Sequence, residues 1–148
     1  MIRRHNTHKG MLSALEGIPL LMPSRILVTG SRDWTDRRSV ATALHTVLVA
    51  LELRDSPEQA ILVHGAARGL DSIAAEIADR WGMQTEAHPA RWDLHGKSAG
   101  PRRNSEMVKS GVDVCLGFPI GPSPGTRGCM AAARRAGIRV VDVSRILP

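Results

Sequence analysis

From Ser24 onward one unit recurs along the chain: a short β-branched or apolar run, a loop containing glycine, then a longer segment whose apolar residues fall on one helical face. Runs too short for helices, alternating with segments too long for strands, define the α/β class with a parallel sheet. RILVT, Arg25 to Thr29, reads as a strand buried on both faces. Asp36 to Leu53 follows as a helix capped by Asp36, with Val40, Leu44, Val47, Leu48 and Leu51 on one side. The second unit is a strand at Ala60 to Val63 and a helix from about Asp71 to Trp81, stopped by Gly82. A third strand, Gln84 to His88, precedes a polar stretch, 89–100, and a helix that Pro101 opens and Gly111 closes. Val112 to Phe118 is the fourth strand, Thr126 to Ala136 the last helix, and Arg139 to Val143 the last strand. The expected architecture is a single doubly wound parallel sheet of about five strands flanked by helices, in which ligands bind beyond the carboxyl ends of the strands.

A chain of 148 residues has the length of one domain, and at that size roughly 70% of the unfolded surface is buried, enough for a core without disulfides or metals. Met22 directly precedes the first strand, so residues 1–22 are set apart as an N-terminal extension and 23–148 as the domain. Arg3, Arg4 and Lys9 imitate the start of a signal peptide, but no A-x-A-like cleavage site follows. Glu16 and Pro19 interrupt the best apolar stretch, Met11 to Met22, short of a membrane span. Cys115 and Cys129 make neither a disulfide framework nor a four-ligand zinc site, and no His spacing completes one. Neither a metal nor a cofactor is expected, and a reducing cytoplasm is the expected location.

Twenty Lys and Arg against 14 Asp and Glu leave a net charge of +6, and 17 of the 20 are arginine. Guanidinium grips phosphate in a planar two-point fork, so an anionic partner is favoured. The aromatics are Trp34, Trp81, Trp92 and Phe118, too few for the stacking platforms of single-strand binders. The expected partner is therefore a nucleotide or nucleotide-sugar small molecule, with nucleic acid the less favoured choice.

Each loop that follows a strand pairs glycine with arginine, lysine or a hydroxyl: Gly30-Ser31-Arg32, Gly65 to Gly69 with Arg68, Gly96 to Gly100, and Gly121 to Thr126 with Arg127. Glycine lets backbone approach an anion closely, and the free amides of the next helix start donate to it. Arg91, Arg102 and Arg103 lie in or just after these loops, and solvated surface is the competing reading for every arginine here. Asp71 has two readings, a helix cap or an acceptor for a ribose hydroxyl, with the cap in front. Trp34 and Trp92 either stack a base or pack under the loops. His64 and His88 end strands and are read as satisfying backbone groups. Cys129 is read as a small buried residue, with a helix-start thiolate as the alternative, and Cys115 as core.

ILVTGSRDW, LVHGAARGLDSIAAEIA, HGKSAGPRRNSEM and PGTRGCMAAARRAGIRVV together resemble the SLOG superfamily, and within it the YspA, cpYpsA-related SLOG family of bacteria and phages. The likeness covers about Ser24 to Val143, and its most specific part is the GxxAGPxRNxxM element, Gly96 to Met107. It implies a Rossmann-like nucleotide-binding fold, commonly a homo-oligomer, with some members acting as sensors. Small-residue helix faces at Ala74, Ile77 and Ala78 or at Ala131 to Ala133 suit an oligomer contact or an ordinary core equally.

The related LOG phosphoribohydrolases carry a PGGxGTxxE loop and an R-K-x-x-M segment. On that likeness Arg103 takes the motif arginine and Asn104 replaces the lysine, while Met107 matches the methionine and Gly125 and Thr126 the loop's glycine and threonine. The family's glutamate falls on Cys129. Glycosidic hydrolysis needs a carboxylate, so the leading reading is a binding module, not an enzyme. Its ligand is expected between the loops after the first and fourth strands. Gly30, Ser31, Arg32, Gly125 and Thr126 form the floor, and Gly65, Arg68, Gly69, Asp71, Arg102, Arg103, Asn104, Gly121 and Arg127 complete the set. The alternatives are a nucleoside monophosphate hydrolase using Arg103 with Asp71, Asp93 or Glu106, and a nucleic-acid binder resembling DprA.

Overall fold

A computed structural model describes residues 9–18 and 22–147. Five strands form one parallel sheet: β1 (Ser24–Gly30), β2 (Ala60–His64), β3 (Gln84–Ala87), β4 (Val114–Phe118) and β5 (Arg139–Asp142), in the order β3-β2-β1-β4-β5. The helices are α1 (Arg37–Ala50), α2 (Leu70–Trp81), the single turn α3 (Trp92–His95), α4 (Ala99–Lys109) and α5 (Pro124–Arg135). The order reverses at β1. The chain winds outward through β2 to β3, crosses to the other side and finishes with β4 and β5, so the connections that leave the carboxyl ends of β1 and β4 run to opposite faces of the sheet.

Alternation of side chains builds two cores. From β1, Ile26 and Val28 face one side with Leu62, Val114, Leu116 and Phe118, where α1 and α2 supply Val40, Leu44, Leu48, Ala74 and Ile77. Leu27 faces the other side with Val63 and Cys115, where α4 and α5 supply Met107, Val108, Cys129 and Ala133. Right-handed crossovers require this when the winding reverses, because the helices then change faces. The small-residue face of α2 is consumed by the chain's own core: Ala74, Ile77 and Ala78 are all buried in it. Part of the stretch set apart as an extension also packs there. Residues 9–14 are helical, Met11 and Leu15 are buried among the α1-side residues, and Arg139 Nη1 donates to the carbonyls of Ala14 (2.7 Å) and Glu16 (3.0 Å).

Local signals set the helix ends. Asp36 caps α1 by accepting from the Ser39 amide at 3.2 Å, and Gly82 ends α2 in the left-handed conformation at φ 83°. Most element ends differ from expectation by one to three residues, and three helix starts bear on the site. α5 starts at Pro124, two residues before Thr126, because proline takes the first helical position. α4 begins at Ala99 ahead of Pro101, and the polar stretch before it folds into α3 and a short 3-10 turn. Asp71 is not a cap: Gly69 holds that position, and Asp71 is the second residue of α2. Among the described residues no helix is long and apolar enough to cross a membrane.

Candidate functional site

The loops after β1 and β4 are stitched at the switch point. The Ser31 amide donates to the Phe118 carbonyl at 3.0 Å, and the Leu70 amide donates to the Ser31 carbonyl at 3.2 Å. Three of the expected phosphate glycines answer to this packing of chain on chain. A Cβ on Gly30 would lie 2.4 Å from Leu70 Cγ, and one on Gly69, where φ is 75°, would lie 2.4 Å from the Arg32 carbonyl oxygen. At Gly65 it would meet the Arg103 guanidinium at 2.2 Å. Gly125 is different, since nothing stands within 4 Å of its missing Cβ.

A cavity of about 400 Å³ opens beyond these strand ends. Of the expected residues it brings together Gly30, Ser31, Arg32, Arg68, Asp71, Arg103, Asn104, Gly125 and Thr126. A second hollow of about 360 Å³ adjoins it on the β2–β3 side, where Gly65 lies with Ala66, Pro89 and Ala90, and Arg32, Arg68, Trp92 and Arg103 line both. Gly69, Arg102, Gly121 and Arg127 line neither. Arg102 Nε donates to Ser98 Oγ (3.1 Å). Arg127 braces its own loop through Nη2 to the Gly121 carbonyl (2.9 Å) and Nε to the Pro122 carbonyl (3.1 Å).

Arg103 and Asn104 form a strut across the crevice. Arg103 Nη1 donates to the Gly65 carbonyl and, at 3.5 Å, to that of His88, its Nε donates to Asn104 Oδ1 (2.8 Å), and Asn104 Nδ2 reaches the Gly125 carbonyl (3.3 Å). The β2 loop, α4 and the first turn of α5 are thereby tied together. Gly65→Ala is expected to push the guanidinium off its carbonyl and to cost about 1.5–3 kcal/mol, the worth of one hydrogen bond from a charged group. Urea denaturation checks this, and an unchanged midpoint would remove the strut from the account.

Asp71 supplies the buried charge of the site. Its Oδ2 accepts from the amides of Gly65 (3.1 Å) and Ala67 (3.3 Å), and its Oδ1 is buried without a partner. Burial pushes the carboxyl up to about 6, against the pull of those amides and of Arg103 and Arg32. An acceptor of this kind takes a hydroxyl or amine from a ligand when ionised and offers a proton when neutral.

The remaining candidates are placed plainly by their contacts. Trp34 packs, edge to face on Phe118 at 5.2 Å, with Nε1 donating to the Asp36 carbonyl (3.1 Å), so it offers no face to a base. Trp92 is half exposed, with the Arg32 guanidinium carbon 5.6 Å from its ring centre. His64 Nδ1 accepts from the Ala66 amide (3.1 Å), and burial with the neighbouring His88 holds its pKa down. His88 Nε2 meets Glu86 Oε2 at 2.8 Å, and Arg25 grips that carboxylate at 2.5 and 3.2 Å. Cys129 lies in the second turn of α5, buried, its thiol pushed up by that burial, so the thiolate alternative fails. Cys115 is core, its thiol likewise raised.

The first turn of α5 is the part the sequence reading placed too late. Ser123 precedes it in the left-handed conformation without a capping side-chain bond, and no acidic residue stands in that turn. Ser123 and Pro124 both line the cavity, and proline at a helix start was the signal for them. Gly125 and Thr126, whose amides fall in this first turn, line the cavity too, and no acidic residue of the turn itself stands against them, although Asp33 and Asp71 lie elsewhere in the lining.

The model of the YspA, cpYpsA-related SLOG family matches residues 24–95, from β1 through α3. The "Gene 61 protein" of Mycobacterium phage D29 is 50% identical over 125 residues, covering 80% of this chain and 94% of that protein. No solved structure matches. Half of the aligned positions are shared across almost the whole of the phage protein, and the family's pattern lies over the strands and loops that build the β2 side of the crevice. On both counts the chain belongs to the YspA, cpYpsA-related SLOG family.

Proposed function

We propose that the crevice binds the phosphate of a nucleotide or nucleotide-derived molecule, and that the chain is a binding or sensing module of a reducing cytoplasm. The observation that carries this is the start of α5: uncapped, free of acidic residues and opening on a cavity that Arg32 and Arg68 also line. A phosphate there takes amide donors and the positive end of the helix together, which is a general mode of anion binding.

Gly125→Asp is the test. A side chain at Gly125 meets open space, and a carboxylate in the first helical turn is favourable, so the variant is expected to melt at or slightly above the wild-type midpoint. In a thermal-shift panel of AMP, ADP-ribose, dinucleotides and short DNA, a nucleotide at about 100 times its dissociation constant adds roughly 2.7 kcal/mol to wild type. The variant is expected to lose about tenfold or more in affinity for the same ligand, the cost of setting a like charge in the anion's place. A nucleotide that binds both proteins equally, or a shift with DNA alone, overturns the reading.

Asp71 favours a second reading, hydrolysis of the ligand's N-glycosidic bond, because it places in the cavity a carboxyl whose pKa lies near 6. Free base released from AMP by wild type and not by Asp71→Asn would establish it.

A further inference from the structure

Among the four aromatic side chains of this protein Trp92 is the one that stands exposed. It opens α3, a four-residue turn with no buried residue, and 49% of its surface is exposed, although tryptophan is highly buried on average. The ring is nevertheless held in place. Gly100, at the start of α4, lies so close beneath it that a Cβ there would come within 3.3 Å of Trp92 Cη2. Above it stands Arg32, whose guanidinium carbon is 5.6 Å from the ring centre.

These two residues line both hollows and form the seam between them. Around the seam stand Arg68, Arg103 and the open start of α5, with Asp33, 3.8 Å from Arg68, and the buried Asp71 as the acidic residues of the same lining, so an occupant that carries an anionic group is favoured. The exposed indole face adds a second requirement, a flat aromatic group. Phosphate and an aromatic ring in one small molecule describe a nucleotide, and a sugar phosphate meets only half of the demand.

We propose that Trp92 and Arg32 are the two jaws of a nucleobase clamp, with the base held between indole and guanidinium while its phosphate lies at the start of α5. This rests on the reading of the crevice as a phosphate site and adds that the ligand is recognised by its base. A base between two stacked partners needs about 7 Å, twice the ~3.5 Å of van der Waals contact. The present 5.6 Å separation therefore has to widen by about 1.5 Å. Arg32 is an exposed side chain, so that movement breaks no packing. The cation–π contact keeps both jaws aligned, and on binding each face of the base replaces one half of that contact.

The experiment measures AMP and ribose 5-phosphate binding by calorimetry to wild type, Trp92→Ala and Trp92→Phe. Loss of one base–aromatic stack is expected to weaken AMP about tenfold or more in Trp92→Ala, with ribose 5-phosphate unchanged and most of the AMP affinity restored in Trp92→Phe. AMP, and not ribose 5-phosphate, should change the tryptophan fluorescence of wild type and leave that of Trp92→Phe unaltered. If Trp92→Ala binds AMP as tightly as wild type, the clamp is overturned while the phosphate site stands. A Trp92→Ala protein with unchanged AMP affinity but a lower mass in solution makes the exposed ring a subunit contact, which also overturns it. If neither probe binds wild type, the phosphate reading falls and takes the clamp with it.

Discussion

Phe118→Ala is expected to lower the unfolding free energy by about 4 kcal/mol, from lost burial together with the cavity that a rigid neighbourhood cannot close. Phe118 is fully buried at the end of β4, carries Trp34 edge to face on its ring, and accepts the Ser31 amide through its carbonyl. For a domain of this size each kcal/mol is worth roughly 2–4 °C, so the thermal midpoint should fall by on the order of 10 °C. The near-ultraviolet signal of Trp34 should broaden as its packing partner goes. Ile120, two residues on and 48% exposed, is the control: Ile120→Ser should change stability by no more than about 0.5 kcal/mol. A loss at Phe118 as small as the control's would show that the switch point is not held by this ring.

The second large effect is a dependence on pH centred on Asp71. Its carboxyl titrates near 6 when folded and near 3.8 when not. Between those values the folded chain binds a proton that the unfolded chain has released, so this contribution to stability is present at low pH and is lost as pH rises through about 6. The full difference is on the order of 3 kcal/mol. Asp71→Asn keeps an oxygen for the Gly65 and Ala67 amides and removes the titration. The stability of the variant relative to wild type should therefore be greater at pH 7 than at pH 4.5, by about 2 kcal/mol, since part of the difference is already lost between pH 3.8 and 4.5.

Comparison of the two proteins is essential, because other groups titrate nearby. His64, with its pKa held down, loses stabilisation as pH falls below 6.5, opposite in sign to Asp71. Glu86 is drawn down to about 2 by Arg25 and His88, so its contribution persists until pH falls well below 4.5. Both act equally in wild type and variant, and Arg103, Arg32 and Cys129 face Asp71 in each. Denaturation curves that run parallel at the two pH values would show that Asp71 is ionised as readily as an ordinary aspartate.

What could be read from the amino acids divides by the range of the forces involved. Asp36 as a cap and Gly82 as a helix stop rest on contacts within one turn, and the strands rest on runs of apolar side chains, all visible in order along the chain. The meaning of a glycine is not local. Gly30, Gly65 and Gly69 have the same look in a loop as Gly125, yet Gly30 and Gly69 are forced by Leu70 and the Arg32 carbonyl, Gly65 makes room for the movable Arg103 guanidinium, and only Gly125 of the four faces open space. Arg103 shows the same limit: its guanidinium is engaged by the carbonyl of Gly65, 38 residues earlier. Asp71 read as a cap because it follows a glycine, but its carboxylate turns back to amides of the β2 loop.

The central position of β1 sets the order in which this molecule can be completed. Ile26 pairs with Val114, 88 residues later, while its other neighbour, β2, follows within one helix. During synthesis the RILVT strand therefore emerges first, gains β2 early, and keeps one row of backbone amides and carbonyls unpaired until the chain has passed Phe118. An apolar strand with an open edge is a template for any extended segment nearby. The contact that finally brings the halves of the crevice together is thus also the one that retires the open edge of β1, so that completion of the crevice and protection from misassembly arrive in the same step.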